Sequence, residues 1–480
     1  MEKLKNFIGG KFVAPHSREY LENIEPATGK VYSLVPNSDA HDLERAVEAA
    51  NKALPQWAAT PLEQRAAILA RIGDLIEQHL DTLAEAESID TGKPITLART
   101  IDIPRAARNF RFFAHILEGF ASESYEMPET ALNVTLRQPV GIAGCISPWN
   151  LPLYLFTWKI APALAAGNCV IGKPSEITPM TAFLLGKICQ KAGLPPGVLN
   201  ILHGEGKTIG SAIVAHPAIP AISFTGGTRT GAEIARIAAP MFKKLSLELG
   251  GKNPFIVFAD ADYEQALQTA IRSAFSNQGQ ICLCGSRIFI ERRIYNRFRK
   301  DFVEATQKLT VGDPLKPTTK VGAVISKQHF EKILSYIELA KIEGGRLLTG
   351  GHPVKLKGRC KNGWFIAPTV FDRLSPLCRT NQEEIFGPVA TLMPFETEEE
   401  VLEYANSVRY GLAASVWTRD LQRALRVSRT LQSGIVWVNC WMLRDLRTPF
   451  GGMKDSGVGR EGGYEALRFF TEPKNVCLKY

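Results

Sequence analysis

The chain has 480 residues, a length that predicts two large domains, or three with a small one, rather than a single core. Hydrophobic residues make up 45% of it and charged residues 22%, which excludes a disordered or fibrous protein. The formal net charge is +9, but basic and acidic residues are interleaved along the whole chain, so we predict no nucleic-acid partner.

The cysteine pattern and the first residues favour a cytoplasmic protein without a metal site. The nine cysteines lie singly apart from Cys282 and Cys284, so we expect neither a disulfide framework nor bound metal. The start, MEKLKNFIGGKFV, lacks the apolar run of a signal peptide. The segment from Leu151 to Ile171 approaches membrane length but contains Lys159 and a proline, so we expect a buried segment and no membrane partner.

The first part of the chain is mainly helical in pattern. Apolar residues three and four apart in LERAVEAANKAL and RAAILARIGDLIEQHL predict surface helices between residues 41 and 92. A second helical pattern follows in IDIPRAARNFRFFAHILEGF, and a polar, turn-rich passage covers residues 121 to 130.

From residue 141 onward, short apolar runs alternate with helical patterns. The first series, GIAGCIS, CVIGKP, VLNILH, AISFTGG and KLSLELG, predicts a parallel sheet with ligands at the carboxyl ends of its strands. A second series, FIVF, SRIFIERR, FIAPTVF, VATLMPF, ASVWT and GIVWVN, begins near residue 253 and predicts another α/β domain. The glycines and proline of ELGGKNP indicate a hinge between the two series.

Two residues are candidates for covalent and acid-base chemistry. Cys282, in FSNQGQICLCGSR, stands near the end of a predicted helix just before a strand, where it could reach a cleft. A lone cysteine is more often an inert packed residue, and only access and a lowered thiol pKa would make it a nucleophile. Glu248, in the apolar strand of LELGGKN, would be either salt-bridged or a general base with a raised pKa.

Three turns at strand ends carry residues suited to binding. In SPWNLP, Asn150 would either stabilise an oxyanion or simply cap its turn. FTGGTRTG places Gly226, Thr228 and Gly231 between a strand and a helix, which is a weak phosphate-binding signal. In GKPSE, Glu176 could bind ribose hydroxyls and repel a 2′-phosphate, which favours NAD, although most such surface acids are only solvated.

Taken in order, SPWNLP, GKPSE, FTGGTRTG, LELGGKN, FSNQGQICLCGSR, EEIFGPV and PFGGMKDSGVGREGG resemble the motifs of the aldehyde dehydrogenase superfamily, and the resemblance spans nearly the whole chain. It implies the α/β aldehyde dehydrogenase fold. The implied parts are a Rossmann-like parallel-sheet cofactor domain (1–116 and 140–250), an α/β catalytic domain (251–467) and a small oligomerisation β-arm (117–139 and 468–480). A homodimer or homotetramer follows from the arm, which would pair with a neighbouring subunit's sheet.

The resemblance also implies roles for single residues. It implies NAD-dependent oxidation of an aldehyde to a carboxylic acid, with Cys282 forming a thiohemiacetal and then a thioester. Asn150 and the backbone amide of Cys282 would hold the oxyanion, and Glu248 would activate the water that releases the acid. The implied cofactor-binding residues are Lys173, Glu176, Trp149, Gly226, Thr228, Gly231, Glu384 and Phe386.

Two segments indicate which aldehyde is oxidised. DIPRAARNFRFFA and NCWMLRDLRTPFGG are most similar to the branch acting on 2-aminomuconate and 2-hydroxymuconate semialdehydes, which carry a carboxylate. Arg105 and Arg444 occupy the matched positions and would clamp that carboxylate, with Arg108, Arg111 and Arg447 as competitors. An arginine-rich helix that only faces solvent is the alternative. We favour the amino substrate, 2-aminomuconate 6-semialdehyde, because NQGQICLCGSRIF is more similar to that form.

Two further functions stay open. A broad aldehyde dehydrogenase acting on betaine aldehyde, retinal or aliphatic aldehydes would share every catalytic motif and differ only in its tunnel residues. A catalytically silent structural homologue is the non-enzymatic alternative, but the presence of Cys282, Glu248 and Asn150 together argues against it.

Overall fold

The computed structural model describes residues 2–480, and its strands form two large sheets and three small ones. In chain order the strands are β1 (Glu2–Lys3), β2 (Asn6–Ile8), β3 (Lys11–Val13), β4 (Tyr20–Glu25), β5 (Lys30–Pro36), β6 (Ser124–Met127), β7 (Ala131–Pro139), β8 (Ile142–Ile146), β9 (Cys169–Lys173), β10 (Leu199–Ile201), β11 (Ala221–Thr225), β12 (Lys244–Glu248), β13 (Pro254–Val257), β14 (Arg287–Glu291), β15 (Arg346–Thr349), β16 (Thr369–Asp372), β17 (Val389–Phe395), β18 (Tyr410–Gly411), β19 (Ala413–Trp417), β20 (Ile435–Val438), β21 (Met453–Lys454), β22 (Gly457–Val458) and β23 (Thr471–Lys479).

The α-helices are α1 (Ala40–Ala59), α2 (Leu62–Gln78), α3 (Leu80–Thr91), α4 (Ile95–Leu97), α5 (Ile103–Ile116), α6 (Pro152–Ala165), α7 (Met180–Ala192), α8 (Ser211–Ala215), α9 (Thr228–Ala238), α10 (Tyr263–Phe275), α11 (Arg292–Gln307), α12 (Lys327–Ile342), α13 (Arg379–Gln382), α14 (Glu398–Asn406), α15 (Leu421–Thr430) and α16 (Gly463–Phe469). Two segments are π-helical (Ala98–Asp102 and Gly206–Gly210), and three are 3-10 turns (Ala239–Met241, Ser276–Gly279 and Gly358–Cys360). The predicted early helices are confirmed as α1 to α3 and α5.

The first large sheet has eight strands in the order β22-β12-β11-β8-β9-β10-β2-β3. Its five central strands, β12 to β10 in that order, are parallel, and antiparallel pairing begins only at the edges. All five apolar runs of the first series form these central strands, so the predicted parallel sheet is confirmed. These strands are apolar throughout because helices cover both faces of such a sheet.

The second large sheet has seven strands in the order β15-β16-β17-β14-β13-β19-β20. Six of them are parallel, and β15 adds an antiparallel edge. The second series of apolar runs supplies these six strands, which confirms the α/β fold class. The strand in FIAPTVF is restricted to Thr369–Asp372, because Pro368 cannot donate to a ladder.

Two features near the end of the chain connect distant parts of the fold. Strand β23 pairs with β7 over its whole length, and β6 completes a three-stranded antiparallel sheet. Strand β6 lies inside the passage expected to form only turns; all four of its residues are exposed, so it lacks the alternation that marks a strand in sequence. Strand β22 pairs with β12, and Leu467 of α16 is buried in the core around the first sheet. The domain boundaries therefore stay a prediction.

Every residue of α6 is buried, which confirms the prediction of a buried segment. Across residues 2–480, no helix is both long and apolar enough to cross a bilayer. The charged residue of α6, Lys159, pairs with Glu461, whose Oε1 lies 2.7 Å from the lysine Nζ.

A buried charge cluster joins three of the early helical segments. Lys93 Nζ lies 2.5 Å from Asp102 of the π-helical segment and 3.4 Å from Glu87 of α3. The second carboxylate oxygen of Glu87 accepts the backbone N–H of Leu153 in the first turn of α6. None of these three charged side chains is more than 2% exposed. A buried charge is tolerated only when it is paired, so Lys93 fixes the segment that leads into α5.

We predict that Lys93→Met lowers the free energy of unfolding by about 3–5 kcal/mol, because it leaves two buried carboxylates without a cation. Chemical denaturation followed by intrinsic fluorescence would measure this loss. The matched control is Lys300→Met, which removes only an exposed i,i+4 pair with Glu304 at 3.9 Å, and its effect should stay below about 1 kcal/mol. Equal effects of the two substitutions would contradict the prediction.

Candidate functional site

The candidate site lies beyond the carboxyl ends of β8, β11 and β12, as the parallel sheet predicts. The turns after these strands line a cavity of about 200 Å³ together with Cys282. We call it the thiol cavity. Its remaining wall comes from later in the chain and includes His329, Glu384 and Phe386.

A strained turn presents Cys282 to this cavity. Helix α10 ends at Phe275, and the chain then reverses through Asn277 and Gln278, which have φ values of 50° and 57°. Such left-handed conformations persist in non-glycine residues only where the surroundings hold them. Gln278 is held by Ala323 O and Gly322 N–H, each at 3.0 Å. The sequence predicts Cys282 near the end of a helix. In the structure it lies beyond the end of α10, on a loop that is held by its own hydrogen bonds.

The Cys282 thiol donates a hydrogen bond to Glu248 at the end of β12. The distance from Sγ to Oε1 is 3.5 Å, and the other carboxylate oxygen accepts the Thr225 hydroxyl at 3.2 Å. Glu248 is buried and forms no salt bridge within the described residues. Of the two alternatives for this acid, the structure therefore favours a base with a raised pKa.

The pKa values of Glu248 and Cys282 indicate that the thiol depends on the carboxylate to remove its proton. Burial and the charge of Glu461 raise the pKa of Glu248, while Lys159 and Arg444 lower it, and the net result is a pKa of about 7. Burial, followed by the Glu248 carboxylate, raises the pKa of the Cys282 thiol well above its ordinary range. The Cys282 thiol therefore does not have the lowered pKa that would make it a thiolate without the help of a base. Its reactivity depends on the adjacent carboxylate, which ionises near neutral pH and can accept the thiol proton.

Asn150 braces the loop that carries Cys282. Its Nδ2 donates to Gln280 O at 3.0 Å, and its backbone oxygen accepts Asn277 Nδ2 at 3.0 Å. The side-chain amide has a second hydrogen, which this contact does not use. The residue is only 3% exposed, so the amide is held rigidly beside the thiol cavity and can stabilise an oxyanion there.

A second cavity of about 650 Å³ extends from the thiol cavity along the first sheet. We call it the glycine-turn cavity, because both cavities are lined by Trp149, Gly226 and Gly227. Lys173 and Glu176 line its far end and pair at 2.9 Å. A Cβ atom on Gly226 would lie 2.4 Å from the Phe224 ring, so this turn requires glycine.

Two residues predicted for this region do not line the cavity. Thr228 donates to Asp455 O at 3.4 Å, and a Cβ on Gly231 would lie 2.4 Å from Leu249. Arg229 and Thr230 line it instead. Sequence spacing places all four in the first turn of α9 but does not tell which side of that turn faces the cavity.

Glu384 and Phe386, which are predicted to bind the cofactor, both line the thiol cavity. Glu384 Oε1 accepts the Gly251 N–H at 2.9 Å, and Phe386 packs edge-on against Trp149 with ring centroids 5.3 Å apart. His329 was missed by the sequence reasoning; its Nε2 lies 2.7 Å from Phe386 O. It belongs to a polar face of α12 that resembles any solvated helix surface in sequence.

A third cavity, of about 440 Å³, lies beyond Ile281 and Leu151 on the other side of the Cys282 loop. We call it the arginine cavity, because four arginines line it: Arg105, Arg108, Arg272 and Arg444. Arg105 and Arg444 are half-buried and contact the same tyrosine. Arg272 was missed by the sequence reasoning, because it lies in α10, far along the chain from the two arginine-rich segments.

Arg105 and Arg444 converge on Tyr154. The guanidinium of Arg105 lies 5.0 Å from the tyrosine ring centroid, and Arg444 Nη1 donates to the tyrosine hydroxyl at 2.9 Å. Burial, together with the charge of Arg444, lowers the pKa of Arg105 to about 10. Neither forms a salt bridge with any part of the chain from residue 2 onward, and Arg105 Nη2 is buried without a partner. Two like charges held together in this way favour an anion between them.

Two of the three competing arginines behave differently, whereas Arg108 lines the arginine cavity. Arg111 pairs with Asp74 and Glu77, and Arg447 pairs with Asp445. Neither lines the arginine cavity. In residues 2–480, no three His, Cys, Asp or Glu side chains group as a metal site.

We predict that alkylation of Cys282 by iodoacetamide accelerates as the pH rises through about 7, because Glu248 then becomes a carboxylate that can accept the thiol proton. In Glu248→Gln the rise in the alkylation rate through about pH 7 should disappear. Only a rise at alkaline pH should remain, since burial still raises the pKa of the thiol. Peptide mass spectrometry would measure both rates, with the exposed Cys477 as an internal control. An unchanged profile at Cys282 in the variant would rule out this role for Glu248.

Comparison with known proteins shows what the chain resembles. A family model, described as the aldehyde dehydrogenase family, matches residues 12–476. The 2-aminomuconic semialdehyde dehydrogenase of Mus musculus is 53% identical over 480 residues, covering 99% of this chain and 98% of that protein. The 2-hydroxymuconic semialdehyde dehydrogenase of Pseudomonas sp. strain CF600 is 46% identical over 485 residues, covering 100% of both. The NAD+ complex of an aldehyde dehydrogenase from Bacillus cereus has a TM-score of 0.97 at 39% identity, covering 100% of this chain and 97% of that one.

Proposed function

The chain belongs to the aldehyde dehydrogenase family, and from this premise we propose that it oxidises 2-aminomuconate 6-semialdehyde to the corresponding acid through Cys282. It is an enzyme, which removes the catalytically silent alternative, and its cofactor is NAD. The substrate, the residue roles and the assembly are the parts proposed here.

The observation that carries the substrate assignment is the pair of unpaired guanidiniums in the arginine cavity. Arg444 is close enough to Cys282 and Glu248 to lower the pKa of both. An aldehyde whose far end is a carboxylate can therefore bind the arginines while its carbonyl carbon approaches the thiol. Planar guanidinium groups suit this contact because each can meet a carboxylate with two parallel hydrogen bonds.

Catalysis begins with transfer of the thiol proton from Cys282 to Glu248. The sulfur then adds to the aldehyde carbon to form a thiohemiacetal, and the amides of Asn150 and of the Cys282 backbone stabilise its oxyanion. When bound, NAD supplies the acceptor for the hydride whose loss turns this adduct into a thioester. After Glu248 has released the thiol proton to solvent, its carboxylate deprotonates the water that attacks the thioester, and the acid leaves as the Cys282 sulfur is freed.

The residues of the two connected cavities fit NAD. Lys173 and Glu176 at the far end of the glycine-turn cavity suit the adenosine ribose, with hydrogen bonds to its hydroxyls. At the other end, Glu384, Phe386 and Trp149 suit the nicotinamide ribose and ring. Between the ends, Gly226 and Gly227 present backbone without side chains, so an extended dinucleotide can pass.

The amino substrate is favoured over two alternatives. The hydroxy analogue, 2-hydroxymuconate semialdehyde, has the same carboxylate and would bind the same arginines. Our preference for the amino form rests on the higher identity to the mouse 2-aminomuconic semialdehyde dehydrogenase. A broad enzyme for betaine aldehyde, retinal or aliphatic aldehydes is disfavoured, because burying two guanidiniums without an anion lowers affinity for a neutral or cationic substrate.

We further infer a homodimer or homotetramer built through the β6-β7-β23 sheet. This sheet is exposed and carries large apolar side chains on its surface, including Tyr125 and Leu478, which suits pairing with another subunit. The cytoplasm is the compartment we propose, because all nine cysteines are free.

We predict that Arg444→Ala costs about 2 to 4 kcal/mol in kcat/KM for the acidic semialdehyde, a loss of roughly 30- to 900-fold. Hexanal, which has no carboxylate, should lose much less, since only the effect of Arg444 on the pKa values of Cys282 and Glu248 applies to it. NADH formation followed by absorbance measures both, with 2-hydroxymuconate semialdehyde as the more stable acidic substrate. The matched control is Arg447→Ala in the same loop, whose arginine pairs with Asp445 outside the cavity. Equal losses on both aldehydes would refute the clamp.

We predict that Glu176→Gln increases the use of NADP relative to NAD. The carboxylate repels a 2′-phosphate, and the amide keeps its size without the charge. The measurement is the ratio of kcat/KM values for the two cofactors at saturating aldehyde. A ratio equal to that of the wild type would argue against contact between Glu176 and the adenosine ribose.

A further inference from the structure

We propose that Arg108 and Arg272 form an outer anion site at the mouth of the arginine cavity, which captures the substrate carboxylate before it reaches Arg105 and Arg444. The inference rests on the proposed function, since it requires an acidic aldehyde as substrate. It adds two specificity residues, which increase the rate at which the acidic aldehyde associates with the enzyme but do not contact it once it is bound.

The four arginines of the cavity fall into an inner and an outer pair. Arg105 and Arg444 are half-buried and contact Tyr154, whereas Arg108 and Arg272 are exposed. Arg108 lies one helical turn beyond Arg105 on α5, so both line the same wall. Arg272 lies on α10 and belongs to the opposite half of the chain, with its guanidinium 5.8 Å from the Trp441 ring.

The outer pair lacks the acidic partners that neighbouring arginines have. Arg111, one turn further along α5, pairs with Asp74 and Glu77 outside the cavity. By contrast, neither Arg108 nor Arg272 lies within 4.0 Å of a carboxylate anywhere in the described chain. The only hydrogen bond of the Arg272 side chain there is a long one, 3.5 Å, to Trp441 O.

The acid on the cavity wall does not neutralise these charges. Asp102 lines the cavity, but its carboxylate is paired with the buried Lys93 at 2.5 Å. Asp445 is close enough to respond to the charge of Arg108, but its carboxylate is paired with Arg447 at 2.6 Å. The mouth therefore keeps a net positive charge. A cleft lined by one sign of charge raises the local concentration of ligands of the opposite sign and their association rate.

The number of hydrogen bonds that a carboxylate can accept distinguishes the outer pair from the inner pair, Arg105 and Arg444. A carboxylate has about four lone-pair sites, and two guanidiniums that each bind with two hydrogen bonds occupy all of them. Arg105 and Arg444 are therefore sufficient for the bound carboxylate. The outer arginines act earlier, and because they are exposed, salt should screen their effect strongly.

The test compares the double variant Arg108→Ala/Arg272→Ala with the wild type. At about 20 mM salt, kcat/KM for 2-hydroxymuconate semialdehyde should fall about tenfold through KM, with kcat unchanged. At about 300 mM salt the difference should nearly vanish, and hexanal should be oxidised equally by both proteins. The control for net charge is the double variant Arg71→Ala/Arg429→Ala, which also removes two exposed arginines, one from α2 and one from α15, neither of which lines any of the three cavities.

Three results would overturn the outer site: no loss at low salt, a loss that persists at high salt, or an equal loss on hexanal. A persistent loss would mean that these arginines contact the bound substrate, and an equal loss on hexanal would mean a damaged active site. The proposed function has a separate test, because it fails if the wild type itself shows no preference for the acidic aldehyde.

Discussion

The hydrogen bond between the Cys282 thiol and the buried Glu248 carboxylate is the interaction on which the rest of the site depends. The acceptor and the donor belong to different parts of the fold. Glu248 ends β12 of the first large sheet, and Cys282 lies on the loop before β14 of the second. The contact therefore exists only when both sheets are formed and docked. Burial raises the pKa of the Cys282 thiol well above its ordinary range, whereas Glu248 ionises near neutral pH, so the thiol becomes reactive only when its proton moves to the carboxylate.

Charge is distributed unequally around this pair. On the glycine-turn side, Lys173 is paired with Glu176, so the lysine is not free to bind an anion. On the arginine side, the guanidiniums rest on aromatic rings instead of carboxylates: Arg444 lies 3.8 Å from the Phe450 centroid and Arg105 5.2 Å from that of Trp158. Aromatic faces stabilise a cation without consuming its hydrogen bonds. The arginines thus remain available to an anion.

Much of the fold could be predicted from the sequence because its signals are local. The βα alternation of both large sheets and the apolar periodicity of α1 to α3 arise from neighbouring residues. Cys282, Glu248 and Asn150 could be proposed because each is an unusual residue beside a strand or turn. Arg272, His329 and the Lys93 cluster could not, because a charged residue on a helix has the same local pattern whether it faces solvent, a cavity or a buried partner. Only the packing of distant segments separates these cases.

The pairing of β22 with β12 has a consequence for how the chain is made. Strand β12, which carries Glu248, is covered at its outer edge only by Gly457 and Val458, far downstream in the chain. During synthesis from the amino terminus, the first sheet therefore waits with an open, apolar edge until the second sheet has been translated. An unpaired strand edge invites pairing with other chains, so the two residues of β22 both complete the sheet that carries Glu248 and close its exposed edge.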